Sequence, residues 1–231
     1  MEFKNSYIVA ILIMAIILIP LVLLNLSTHS QIGSDDRGYV TKDVYAHYGD
    51  SKIKIAIVTG IHARESIAIA PEQWAARVFA LLTPVEIINY NIVVEKNPQD
   101  YSQGRKNGEG LAATFILPDV KKSDYNLVII SHAHQTGYGE GYYVATPQMD
   151  NPSVTIAQNI KFSGLNFNYY PAAKNAKYKS SSAFLFSKPL ALAGYPTLVY
   201  EIPENVTSFE SFFMTYKLLE TSYGFLNSKI Q

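Results

Sequence analysis

The sequence predicts an α/β domain: a mixed, mostly parallel sheet sandwiched by helices, preceded by one N-terminal transmembrane helix. Three observations carry that expectation. After residue 39, short β-branched apolar runs alternate with stretches of helical spacing. The run at 127–130 is apolar enough for a central strand covered on both faces, 197–200 reads as a buried strand, and 53–58 is an apolar, β-rich run. Histidine, arginine and carboxylate residues then follow those runs, where open α/β sheets keep their chemistry.

In chain order, residues 7–26 carry no charge and are dominated by Ile, Leu, Val, Ala and Met. At about 1.5 Å per residue such a helix reaches roughly 30 Å, a bilayer core. A cleaved signal peptide is the rival, with Thr28, His29 and Ser30 as small or polar residues near a cleavage point, but its apolar region normally has only about 7–15 residues. The length favours an uncleaved anchor over 1–26, with Lys4 in the cytoplasm and the following domain exported. Residues 27–38, polar and short of apolar side chains, read as a tether. Residues 39–231 suffice for one domain with a substantial core. Within it, strands are expected at 44–48, 53–58, 86–95, 127–130, 142–145 and 197–200. Helices are expected at 66–82, where Trp74, Val78, Leu81 and Leu82 recur and Pro71 is tolerable near the first turn, and at 153–162, 182–193 and 208–225.

Composition removes several classes of function. The 19 basic and 19 acidic residues cancel and no basic cluster occurs, so nucleic acid is not an expected partner. The absence of cysteine excludes disulfides, thiolate ligands and a cysteine nucleophile. No Gly-x-Ser-x-Gly elbow supports serine hydrolase chemistry.

The stretch with the most chemistry is Thr59-Gly60-Ile61-His62-Ala63-Arg64-Glu65, placed where a strand should stop. A neutral imidazole and a carboxylate three residues apart can face one ion from a tight turn, but catalytic zinc takes three protein ligands. The wider string Gly-Ile-His-Ala-Arg-Glu resembles the signature of the zinc carboxypeptidases of the carboxypeptidase A type. That resemblance implies His62 and Glu65 as ligands of one Zn2+ ion and Arg64 as a residue lining the substrate cleft. Its last ligand is a histidine ending a central strand, which matches His132 in Ile130-Ser131-His132-Ala133-His134. His134, two residues on and directed to the same side of a continuing strand, is the alternative. The family's aspartate two residues before this ligand is replaced here by Ile130.

Further along, Glu201 is a lone carboxylate in an apolar strand, costly to bury without a function. The resemblance makes it the general base for a zinc-activated water; Glu204, after Pro203, is the weaker candidate. Asn97-Pro98-Gln99-Asp100 followed by Arg105-Lys106 is similar to a family stretch whose arginine polarises the scissile carbonyl, so Arg105 is the implied oxyanion stabiliser. Tyr178 stands where the family's substrate-capping tyrosine would lie. The Asn-Arg pair that grips a peptide's terminal carboxylate is missing between Asn107 and Asp119. The resemblance thus covers residues 53–202. It implies a membrane-anchored zinc hydrolase cleaving an amide bond in a peptide, cell-wall peptide or N-acyl amino acid. The alternative is a surface protein on the same fold that binds a metal, peptide or glycan without turnover.

Overall fold

The computed structural model describes every residue except Met1, Leu26, Tyr48, 172–182 and Gln231. Tyr178, the expected capping tyrosine, therefore lies outside the described residues.

Eight strands form one mixed sheet in the order β1-β2-β4-β3-β5-β8-β6-β7. They are β1 (Ser27–Asp35), β2 (Gly38–Tyr45), β3 (Lys54–Thr59), β4 (Glu86–Val94), β5 (Leu127–His134), β6 (Tyr142–Ala145), β7 (Phe167–Tyr170) and β8 (Thr197–Pro203). The middle of the sheet, β4-β3-β5-β8, is parallel, as is the β6-β7 pair; β1, β2 and the β6-β8 pairing are antiparallel. β5 is buried at every position, which explains a run with no polar alternation: both of its faces are covered.

Side chains alternate between two cores. Ile55, Ile57, Ile129, Leu198 and Tyr200 face α2 (Ala70–Leu82), α5 (Asn151–Lys161) and α7 (Ser208–Asn227). Ala56, Val58, Val128 and Ile130 face α3 (Tyr101–Leu111), α4 (Leu117–Val120) and α6 (Lys188–Leu192). α2 buries Glu72, Ala75, Ala76, Phe79 and Ala80, one stripe at helical spacing. α7 begins with a capping box in which Thr207 and Glu210 satisfy each other's backbone donors.

The structure bears on several expectations. The N-terminal helix, α1 (Glu2–Asn25), has exposed apolar side chains from Tyr7 to Ile19. Among the described residues, no helix is long and apolar enough to cross a membrane. The stretch read as a tether is the edge strand β1, antiparallel to β2 with a bulge between Gln31 and Gly33. It is held by backbone pairing and by Arg37, whose Nε donates to Asp35 Oδ1 at 3.0 Å, so it leaves little trace in hydropathy. The helix expected over 66–82 starts later, after a 3-10 turn at Ser66–Ala68, because Ile69 (φ −122°, ψ −86°) is not helical. Residues 101–111, glycine-rich and polar, form α3, which has no counterpart among the expected helices, and β7 has none among the expected strands.

Candidate metal centre

β3 ends at Thr59, and Gly60 turns the chain with φ +79°, a left-handed conformation natural only to glycine. A side chain there would run into the Ile92 carbonyl. The next residues close a tight turn in which Glu65 N donates to His62 O at 3.0 Å. This turn brings the two side chains to the same side. α3 presses against it through Gly108, where a Cβ would meet the Ile61 carbonyl. β5 delivers the third group from the neighbouring parallel strand.

The ligand atoms of His62, Glu65 and His132 all lie within 4.8 Å of one another. His62 Nδ1 is 2.7 Å from Glu65 Oε1, His132 Nδ1 is 3.0 Å from Glu65 Oε2, and the two Nδ1 atoms are 3.1 Å apart. Lone pairs converging this closely repel unless protons or a cation stand between them. Two imidazoles and a carboxylate, nearly buried, are a donor set suited to zinc. His62, Glu65 and His132 thus make a candidate metal site.

The surrounding groups orient these donors. Glu109, 1% exposed, places Oε1 3.3 Å from His62 Nε2. An Nε2 proton directed at this carboxylate leaves the Nδ1 lone pair for an ion. Ala133 N donates to Glu65 Oε2 at 3.1 Å. Burial pulls the His62 imidazole down, but its contacts to Glu109 and Glu65 outweigh this and raise its pKa. Burial pushes the Glu65 carboxyl up, yet His132 and His62 hold it well below the ordinary carboxylate range.

His134 stands apart. Its Nε2 lies 3.0 Å from Gly141 O and its Nδ1 3.2 Å from Gln135 O, so both ring nitrogens face carbonyls of the loop after β5.

A cleft opens beside the cluster, lined by His62, Arg64, Glu65, Tyr101, Arg105 and Glu204. Arg105 lies on α3, with Nε 3.5 Å from Glu109 Oε1, and donates to the Tyr101 hydroxyl at 3.4 Å. Arg64 lies 5.8 Å from the centroid of the same tyrosine ring. Glu201 sits on β8 directly opposite His132 in the strand register and on the same face. Burial, with Glu65 adding to it, pushes its carboxyl up to about 7 against the opposing pull of His132 and Arg105. Among the described residues its carboxylate has no hydrogen-bond partner.

Two buried carboxyls near the centre were not anticipated from sequence. Glu109 had a signal: Gly104 and Gly108 are four apart, as on one helix face in close contact, and Arg105 and Glu109 share that spacing. Glu72 had a stronger one, since positions 72, 75, 76, 79 and 80 form one helical stripe in which it is the only ionisable member. It is fully buried, hydrogen-bonded to Ser131 Oγ, and burial together with the charge of Glu201 raises its pKa well above normal despite that bond.

No family model matches the sequence, and no curated protein matches it. Solved structures do resemble the fold. A metallo-carboxypeptidase from Burkholderia cenocepacia superposes with a TM-score of 0.60 at 14% identity, over 94% of this chain and 69% of that one. A metallo-carboxypeptidase from Pseudomonas aeruginosa, in complex with (2-guanidinoethylmercapto)succinic acid, gives 0.56 at 10% identity, over 89% and 64%. An aminopeptidase from Aneurinibacillus sp. strain AM-1 gives 0.51 at 13%, over 80% and 47%. The chain therefore spans about two thirds of the length of these carboxypeptidases and about half of the aminopeptidase. At such identities the likeness is one of fold.

Proposed function

We propose that the protein is a zinc-dependent amide hydrolase of the metallo-carboxypeptidase kind, acting on a peptide or N-acyl amino acid. The observation that carries this reading is the convergence of His62, Glu65 and His132 on one point at the strand ends. A bound Zn2+ ion supplies Lewis acidity and lowers the pKa of a water towards about 7.

The chain's own residues supply the rest. Glu109 keeps a proton on His62 Nε2 and so fixes the ring. Glu201, beside His132 and without a hydrogen-bond partner among the described residues, accepts a proton from the attacking water and returns it to the leaving nitrogen. Its carboxyl, near 7, is poised for both transfers. Arg105 faces the cleft, held by Glu109 and Tyr101, as a fixed cation for the oxyanion that develops on the carbonyl. Arg64 lines the same cleft and binds substrate. Tyr178 is proposed as a second substrate contact on its sequence position alone.

The test is metal analysis with hydrolysis. The protein should bind about one zinc per chain and cleave N-acyl amino acids or short peptides. Glu201→Gln should keep the metal and lose the cleavage. Metal binding without turnover on any amide would favour a binding protein on the same fold.

We further propose that residues 1–26 attach the chain to a membrane, with the hydrolase domain outside the cytoplasm. The exposed apolar side chains of α1 from Tyr7 to Ile19 support this. The full chain should then stay with the membrane fraction through alkaline carbonate washing, and its appearance in the soluble fraction defeats the attachment.

A further inference from the structure

The strand register lines up more than the metal ligand and the base. Across the sheet, His132 of β5 stands opposite Glu201 of β8, and Glu201 stands opposite Tyr143 of β6. Tyr142 and Val144 pack into the core under α5 and α7, so Tyr143 points to the other face, that of His132 and Glu201. Directly opposed residues on antiparallel strands hold their side chains about 5 Å apart at Cβ. The phenol is thus the immediate lateral neighbour of the base. Its pKa is also raised, by burial first and then by the charges of Glu201, Tyr170 and Glu65, which places its hydroxyl within electrostatic reach of both the base and a metal ligand.

Among the described residues, two aromatic contacts hold the Tyr143 ring, and Gly139 lies against it. His134 tilts against it with centroids 5.0 Å apart, and Tyr170 meets it edge-on at 4.7 Å and 84°. Among the described residues its hydroxyl has no hydrogen-bond partner, and it is not sealed from solvent. A held ring that carries an unused O–H beside a catalytic base is preorganised for a ligand.

Resting on the hydrolase reading above, we infer that Tyr143 is a substrate-binding residue whose phenol O–H donates a hydrogen bond to the reacting amide on the Glu201 side of the cleft. His134 and Tyr170 then act as positioning residues that hold the ring, which gives His134 a role other than metal ligation.

The experiment compares wild type, Tyr143→Phe and Tyr138→Phe in the full-length, zinc-loaded protein. It reads amide hydrolysis, binding of a peptide phosphonate by calorimetry, zinc content and thermal melting. Tyr143→Phe removes only the oxygen. It should weaken phosphonate binding and lower kcat/KM by about tenfold each, the scale of one hydrogen bond, with zinc content and melting unchanged. Tyr138→Phe, at an exposed tyrosine with 79% of its surface free, should change none of these. If Tyr143→Phe leaves both binding and kcat/KM within twofold of an active wild type, the inference is wrong and the hydrolase reading stands. If the losses come with loss of zinc or a lower melting point, Tyr143 is structural and the inference is also wrong. A wild type that neither hydrolyses amides nor binds the phosphonate overturns both.

Discussion

Two carboxyls sit at the same end of the sheet, one on each face, and their difference shows how one fold gives the same group two environments. Glu201 projects with His132 towards α3, beside the cleft, where it has no hydrogen-bond partner among the described residues. Glu72 comes from α2 on the opposite face and bonds to Ser131, the residue before His132. Burial raises both, and each raises or is raised by neighbouring negative charge. Glu201 stops at about 7, because His132 and Arg105 offset part of the burial. Glu72 has only a hydroxyl against it and is fully enclosed, so burial and the charge of Glu201 carry it well above the ordinary carboxylate range. The same residue type thus sits beside the cleft with its pKa at about 7 on one face, the setting we propose for a proton acceptor, and is a packed hydrogen-bonding group on the other. The partners decide, not the sequence separation from the ligands.

Substitutions that neutralise each carboxyl test this contrast most strongly. Glu201→Gln is expected to lower kcat/KM by roughly 10²–10⁴-fold with zinc content intact, the range for a lost general base. Glu72→Gln should leave turnover nearly unchanged; an equal loss in both variants would end the distinction.

The candidate ligand His132 and its neighbour His134 give the next largest effect. His132→Ala should abolish stoichiometric zinc binding, whereas His134→Ala should retain it, as read by metal analysis after dialysis. Glu109→Gln, acting through His62 Nε2, should weaken zinc by about 10–100-fold, as outer-shell partners do. If His134→Ala instead strips the metal, the placement of its ring against Gln135 and Gly141 is wrong.

Smaller still is the pH dependence of stability. Glu72 has a folded pKa above its unfolded value, so the folded state keeps a proton that the unfolded chain releases. Its contribution is complete below the ordinary carboxylate range, about pH 4, and declines as pH rises towards the folded value. Glu72→Gln removes that decline. The variant should melt above wild type near about pH 8, by roughly 2–4 °C for each kcal/mol recovered, and the gap should close towards about pH 4. In the metal-free protein Glu201→Gln should show the same sign, over the window from the ordinary carboxylate value to about 7. Adding zinc should erase the gap for Glu201→Gln, since a cation on that face stabilises the carboxylate, and leave it for Glu72→Gln. The smallest change is Ser131→Ala, which takes the hydroxyl from Glu72 and should cost about 1–3 kcal/mol in denaturant unfolding.

Hydropathy and motif together made much of this legible. The central strands read directly, because strands buried on both faces are apolar along most of their length, as β5 is from Leu127 to Ile130. The string from Gly60 to Glu65 pointed to a metal because it resembles the zinc carboxypeptidase signature, whereas a His-x-x-Glu pair alone is a weak signal. Edge strand β1 was invisible because backbone pairing, not side-chain burial, holds it. α3 was hidden for the opposite reason: its glycines and polar residues have poor helix propensity, and close packing against the Gly60 turn overrides that.

By itself the chain determined which residues had the chemistry to matter: two metal-type donors in one turn, two histidines at the end of an apolar strand, and a lone glutamate in another. Those are local properties of residue type and spacing. Only the tertiary arrangement decided that His132, not His134, joins His62 and Glu65, that Glu109 backs the first ligand, and that Tyr143 stands beside Glu201. Each of those follows from which strands are neighbours and in what register, and that pairing is fixed by contacts between segments far apart along the chain.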